Sequence, residues 1–356
     1  MAVVGGGVIG LAIAARAARD GWSVRLHDPH LGSGAPVGSG ALVGSGASWV
    51  AGGMLAPLSE GWPGEHELLA LGAHSLARWP EFAASLDRDV FTSRGSLTVA
   101  LDAADAADLR TVAEFVVGQG HQLEVLTRAQ IRQLEPSLAQ NIRLAIHAPT
   151  ELAVDNRALM AALRESASEV HFVPETVTDL DELEADQVVV CAGAHTASLV
   201  DVPVRAVKGE ILRLRRRPSA TPPPTRTVRG SVHGRPIYLV PRGDGLVVGA
   251  TQHESGDDTQ VTVAGVRDLI ADAERLMPSI GEYELHECSA GLRPGSPDGL
   301  PIIGRITDRV IVASGHGRNG ILLTPITADA VSALLAADVL PETTAADPAR
   351  FKKVAT

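Results

Sequence analysis

The 356-residue chain has only two cysteines, Cys191 and Cys288. Two separate thiols build neither a disulfide framework nor a Cys-x-x-Cys metal pair, and they fit a reducing, cytoplasmic setting. Positive charge is in deficit as well: 31 Lys and Arg face 42 Asp and Glu, a net charge of −11. General attraction to a phosphate backbone is excluded, so nucleic acid is not expected as a partner. The opening Met1-Ala2-Val3-Val4-Gly5 lacks a basic region before an apolar run, and no secretory leader is expected. Residues 31–59 carry no charge and exceed the ~20 residues of a membrane span. Eight glycines with Pro36 and Pro57 interrupt that stretch, so it is not read as a transmembrane helix and no membrane contact is expected. None of the twelve histidines joins a catalytic triad or a metal set, and no metal is expected. What remains is an ordinary globular composition, 45% hydrophobic and 21% charged, long enough for about two domains with a real core.

One internal repeat stands out. Gly-Ser-Gly-Ala recurs at Gly32, Gly38 and Gly44 with a period of six. Three units are too short for a solenoid, and two of them read as inserted, flexible loop. The arginines Arg215, Arg216 and Arg217 lead into Pro218 and Pro222-Pro223-Pro224, an exposed connection in which prolines forbid helix and interior strand. Periodicity predicts a helix from about Val8 to Gly21 and a short strand at Val24 to Leu26. Buried parallel strands are expected at Val188-Val189-Val190 and Val310-Ile311-Val312-Ala313, and a helix capped by Thr324 with Pro325 next. Ile237 to Val240 and Gly245 to Ala250 alternate between turn signals, which suggests an antiparallel sheet inserted into the parallel one.

Gly5-Gly6-Gly7-Val8-Ile9-Gly10 matches G-x-G-x-x-G between a strand and a helix. Gly5 permits the tight turn, Gly7 lets a pyrophosphate approach the backbone, and Gly10 lets helix and strand pack closely. Asp28 closes the next strand at about the ~20-residue spacing expected of a carboxylate that binds ribose hydroxyls. A glycine turn without a ligand is the competing account. The fingerprint alone does not choose between FAD and NAD.

Five further segments bear on that choice. They are Ser48-Trp49-Val50-Ala51-Gly52-Gly53-Met54-Leu55-Ala56-Pro57, Val207-Lys208-Gly209-Glu210, Ser289 to Gly299, Pro301-Ile302-Ile303-Gly304, and Ala313 to Leu323 around His316-Gly317-Arg318-Asn319-Gly320. In this order they closely resemble the D-amino-acid oxidase family of flavoproteins, and within it the glycine oxidases of thiamine biosynthesis. The resemblance implies a mixed α/β fold in which a Rossmann-like FAD-binding domain carries an inserted antiparallel-sheet substrate domain. It places the first domain at residues 1–80, 141–205 and 289–340, the second at 81–140 and 206–288, and a C-terminal tail at 341–356. It implies an FAD-dependent oxidase of glycine or of small amines such as sarcosine and D-alanine. Oxygen would be the co-substrate and glyoxylate, ammonia and hydrogen peroxide the products. A broader D-amino-acid oxidase or dehydrogenase, a sarcosine-oxidase-like enzyme and a flavin-binding protein without turnover stay open as alternatives, and a homo-oligomer is compatible with all of them.

The same resemblance implies residue roles. Arg293 in Gly-Leu-Arg-Pro-Gly would grip the substrate carboxylate, Tyr238 would assist, and Arg318 would lie beside flavin and substrate. Cofactor contacts are implied at Gly5, Gly7, Val8, Ile9 and Gly10, at Asp28, and at Ala47, Ser48, Gly52, Gly53 and Met54. Val177 would lie on the adenosine side, with further contacts at His316, Gly317, Arg318, Asn319, Gly320, Ile321 and Leu322. A guanidinium matches a carboxylate bidentately, which suits Arg293, although a structural ion pair and an ordinary strand tyrosine are the bland readings of Arg293 and Tyr238. Since a flavin accepts the α-hydrogen as a hydride, no catalytic acid or base is implied. Sarcosine oxidases tether FAD to a cysteine in this region, but Cys288 is out of register by two or three residues, so non-covalent FAD is expected. Cys191 reads as core.

Overall fold

The β-branched tripeptides of the sequence form the centre of a six-stranded sheet. In the computed structural model, which describes residues 1–30 and 46–351, Ala2–Val4 pairs in parallel with both Val188–Val190 and Arg25–His27. Val310–Ser314 and His171–Val173 extend the parallel set on either side. Ile302–Arg305 closes one edge antiparallel to Val310–Ser314. The side chains of Val3, Leu26, Val189 and Ile311 are buried in one apolar cluster, as expected for strands covered on both faces. Helix Val8–Arg19 leaves the sheet directly after the glycine turn, and its alanines at 12, 14, 15 and 17 are buried in the same cluster. It ends at Asp20, followed by Gly21 at φ +93° in the left-handed region.

The second sheet has nine strands. Its path runs from Glu284–Gly295 through Arg205–Arg215, Gly245–Gly249, Arg235–Arg242, Thr227–Val232, Phe91–Ala100 and Leu144–Val154 to Met54–Leu55. Glu124–Thr127 also pairs with Leu144–Val154. The pairings are antiparallel except that Thr227–Val232 runs parallel to Phe91–Ala100, two strands joined by a long excursion through the other sheet rather than by a hairpin. Leu144–Val154, which lies wholly within the 141–205 segment expected in the cofactor domain, and Glu284–Gly295, whose part from 289 onward lies in another, both belong to this sheet. Both are long strands whose far ends reach the boundary between the sheets. Helix Val263–Leu276 covers one face with Leu269, Ala273 and Leu276.

Thr324 is not the N-cap expected of it. Leu323 holds that position in helix Thr324–Leu335, and the Thr324 hydroxyl donates to the Gly320 carbonyl at 2.9 Å. The turn Gly317–Asn319 leads almost directly into the helix, so a carbonyl four residues back is already in place for the hydroxyl. The repeated hexads at Gly32 and Gly38, and the last five residues of the tail, lie outside the described residues.

Candidate functional site

One cavity of about 1660 Å³ runs from the glycine turn of the first sheet to the inner face of the second. Drug-sized ligands occupy roughly 300–1,000 Å³, so this volume suits something as large as a dinucleotide together with a small second molecule. At one end the chain passes Gly5 at φ +108°, where an added Cβ would strike the Cys191 carbonyl. The turn therefore requires glycine there. Gly7 is the N-cap of helix Val8–Arg19 and supplies no side-chain cap. The Val8 N–H instead meets the Ser48 hydroxyl at 3.0 Å. First-turn amides at such a helix end favour an anionic group. Asp28 Oδ2 accepts from the Gly6 N–H at 2.7 Å and Oδ1 from the His30 N–H at 2.8 Å, which fixes this carboxylate at the cavity wall.

The middle of the cavity lies between two loops. Ala47, Ser48, Gly52, Gly53 and Met54 line it from one side and His316 to Ile321 from the other, with Val177 toward the glycine turn. Helix Ala47–Val50 is held by Asn156, whose side-chain amide donates to the Ser48 and Trp49 carbonyls at 2.8 Å each. Arg242 Nη2 grips the Gly52 carbonyl at 2.6 Å. His316 is buried, with Nε2 3.0 Å from the Thr327 hydroxyl, and burial pushes its imidazole down to about 3, so the ring is neutral at physiological pH. Gly10 and Leu322 do not line the cavity. Gly10 packs against Gly5 and Cys191, while Leu322 is core and its carbonyl accepts from Ser75 Oγ at 2.7 Å and Trp79 Nε1 at 2.9 Å. Cys288 lies outside the cavity wall, and both cysteines are free.

At the far end, the second sheet brings Tyr238 and Arg293 to the wall. The Tyr238 ring lies against Gly52, and burial raises its hydroxyl above the ordinary phenol value despite the arginines around it. It is therefore a neutral hydrogen-bond donor. Arg293 Nη1 donates to the Thr251 carbonyl at 3.2 Å. Arg318 does not stand free: its guanidinium donates to Glu60, whose other oxygen lies 2.7 Å from Arg229 Nη2. Burial opposes ionisation of Glu60, but Arg229 and Arg318 outweigh it and hold the carboxyl below its ordinary value.

Glu60 and Arg229 carry no local signal in the sequence, since their pairing joins a loop to a strand far along the chain. The Glu60 loop is fixed in turn by Glu151, which is fully buried and accepts from Leu58 N–H at 2.7 Å, Ser59 N–H at 2.8 Å, the Ser59 hydroxyl at 2.8 Å and the Ser96 hydroxyl. Burial pushes the Glu151 carboxyl up. The far end thus gathers Arg293, Arg318 and Arg229 around the Glu60 carboxylate and the Tyr238 phenol, an arrangement suited to a small carboxylate-bearing molecule.

A family model described as FAD dependent oxidoreductase matches residues 1–334. The chain is 31% identical to a glycine oxidase of Geobacillus kaustophilus, covering 99% of this chain and 95% of that protein. The crystal structure of glycine oxidase from Geobacillus kaustophilus superposes with a TM-score of 0.87 at 30% identity and 98% coverage of both chains. A bifunctional protein ThiO/ThiG of Synechocystis is 33% identical over 98% of this chain, which spans only 53% of that relative; the chain is about half the length of such bifunctional relatives.

Proposed function

Because the chain belongs to the FAD-dependent oxidoreductase family matched over residues 1–334, we propose that it oxidises glycine, and small amines such as sarcosine or D-alanine, to glyoxylate, ammonia and hydrogen peroxide. The observation that carries this reading is the single cavity that joins the Gly5–Gly7 turn to Arg293 and Tyr238. Its glycine end fits the pyrophosphate of FAD: a helix terminus with no Cβ at its N-cap Gly7, where the small Ser48 hydroxyl reaches the Val8 N–H, and Asp28 placed for the ribose. Gly52, Gly53 and Met54 on one side and His316 to Ile321 on the other would hold the isoalloxazine, without a covalent link. The chemistry supplied by FAD when bound is acceptance of the α-hydrogen with its electron pair, later passed to oxygen.

The chain's own task is then positional. Arg293 takes the substrate carboxylate on two N–H groups, and the neutral Tyr238 hydroxyl adds a third donor. Held there, a glycine presents its Cα to the middle of the cavity as the neutral amine. The Glu60 pairing keeps Arg318 and Arg229 at the wall, so Arg293 remains the guanidinium offered to the carboxylate. No residue is assigned as acid or base. A relative named as a putative thiamine biosynthesis oxidoreductase in Rhizobium etli, 34% identical over 93% of this chain, supports a role in supplying the thiazole precursor of thiamine. Two free thiols support a cytoplasmic setting.

The test is a turnover screen of the FAD-loaded chain with glycine, sarcosine and D-alanine, read by peroxide. Glycine turnover with stoichiometric peroxide is expected. Oxidation of D-alanine but not of glycine would replace glycine by a broader D-amino-acid specificity, and bound FAD without any turnover would refute the enzyme reading.

A further inference from the structure

The cavity wall beside Arg293 is completed by residues 251–262, a segment without regular structure between strand Gly245–Gly249 and helix Val263–Leu276. Gln252, Asp257 and Thr259 from this segment line the cavity. Such a stretch has few backbone bonds of its own and must be held from outside. Two neighbours on strand Arg205–Arg215 hold it. Glu210, 0% exposed, accepts from the Thr262 N–H at 2.8 Å and from the Thr251 hydroxyl at 3.3 Å, so one buried carboxylate fastens both ends. The Glu210 N–H also meets the Thr251 hydroxyl at 2.9 Å. Lys208, 2% exposed, sends Nζ to Asp258 Oδ2 at 2.6 Å, with Glu210 Oε1 at 3.8 Å. Its backbone exchanges N–H to carbonyl bonds with His253 at 2.8 and 3.0 Å.

A buried ammonium is costly unless paired, so the Lys208 charge ties the segment down wherever Asp258 is the available anion. Gly209, between these two residues, carries the Arg293 guanidinium on its backbone; an added Cβ would occupy the space of the guanidinium itself. The Thr251 carbonyl then orients that guanidinium at 3.2 Å. Lys208-Gly209-Glu210 therefore meets Arg293 from beneath and the segment from its flank.

We propose that Lys208 and Glu210 are positioning residues, which strap residues 251–262 across the substrate end of the cavity and, through the Thr251 carbonyl, set Arg293 to receive a carboxylate. This rests on the amino-acid oxidase reading above. The strap governs affinity for the carboxylate and leaves the cofactor end untouched, because its bonds run to residues 251–262 and, through Thr251, to Arg293.

The experiment uses the FAD-loaded chain and the variants Asp258→Asn and Glu210→Gln, with Glu210→Asp and Lys208→Arg as conservative partners. Asp258 is on the surface side of the latch, so Asp258→Asn keeps the proposal testable if a buried substitution fails to fold. Three readouts are expected to move together in Asp258→Asn: KM for glycine rises about tenfold while kcat stays within about threefold; the dissociation constant of acetate, read from its perturbation of the flavin spectrum, rises alongside; and amide hydrogen exchange at 251–262 accelerates. FAD affinity stays that of the parent, Glu210→Asp recovers part of the loss seen in Glu210→Gln, and Lys208→Arg, which keeps the charge, stays closer to the parent than Asp258→Asn. Any one of the three readouts left unchanged overturns the proposal. If the parent oxidises no amino acid, the reading it rests on fails separately, and acetate binding with hydrogen exchange still decides whether the strap sets a carboxylate site.

Discussion

Replacing Arg293 by lysine separates charge from geometry at the proposed carboxylate grip. The guanidinium lies flat over the Gly209 backbone and is aimed by one bond to the Thr251 carbonyl, which leaves its remaining N–H groups for a ligand. Lysine retains the positive charge but places it at one point, so it cannot make two parallel bonds to a carboxylate. Removing one member of a desolvated charge pair costs about 2–5 kcal/mol, and a lysine that keeps the charge should lose about half of that. At 1.4 kcal/mol per factor of ten, kcat/KM for glycine should fall about 5- to 60-fold, mostly through KM. The assay is the initial rate of peroxide formation against glycine concentration, with FAD content measured from the visible spectrum of the same sample. Full FAD content with a weakened kcat/KM is the expected pair of results. A kcat/KM within about twofold of the parent in FAD-replete Arg293→Lys would refute the reasoning, because no bidentate contact would then have been lost.

Gly7→Val should abolish FAD binding, since even the Cβ of a side chain at Gly7 would sit 3.2 Å from Ser48 Oγ and its methyls would fill the approach to the helix terminus; a folded variant with a full complement of FAD would contradict this. The Glu60 carboxyl is held below its value of 4.5, so its pairing with Arg229 and Arg318 contributes stability above that pH and loses it as pH falls through the lowered value. The gap in Tm between the parent and Glu60→Gln should therefore be widest at neutral pH and narrow progressively below pH 4.5, whereas a gap independent of pH would remove the ion pairs from the account. Trp79 is fully buried and its indole N–H holds the Leu322 carbonyl at 2.9 Å, so Trp79→Ala should cost about 3–5 kcal/mol in urea unfolding of the loaded chain. A loss under about 1 kcal/mol would mean that the core relaxes around the gap.

What could be read from the sequence was whatever is written locally. The glycine turn is a contiguous motif whose spacing encodes backbone conformation, and Val188–Val190 and the Val310-Ile311-Val312 start of the next parallel strand are β-branched runs that suit a buried strand. Gly21 at φ +93° marks its helix end for the same reason. The cap at Thr324 failed because capping depends on the preceding turn, and Gly317–Asn319 already placed a carbonyl for the hydroxyl. Leu322 shares its stretch with residues that face the cavity, yet a turn alternates its faces and this residue points into the core. Glu60 stayed invisible because its two partners are brought to it by different elements, Arg229 on a strand of the second sheet and Arg318 after the last strand of the first. Lys208 and Glu210 belong to a local motif, but their work lies in the segment 251–262 that they fasten.

The central claim is that the second sheet holds a small amino acid where FAD can accept its α-hydrogen. It is tested most directly by mixing the FAD-loaded chain with glycine under strictly anaerobic conditions and following the flavin's visible absorption. The account predicts that the yellow band bleaches on mixing with glycine and returns when oxygen is admitted and glycine is spent, with one peroxide formed per glycine oxidised. A band that stays unbleached at saturating glycine, sarcosine and D-alanine would contradict it.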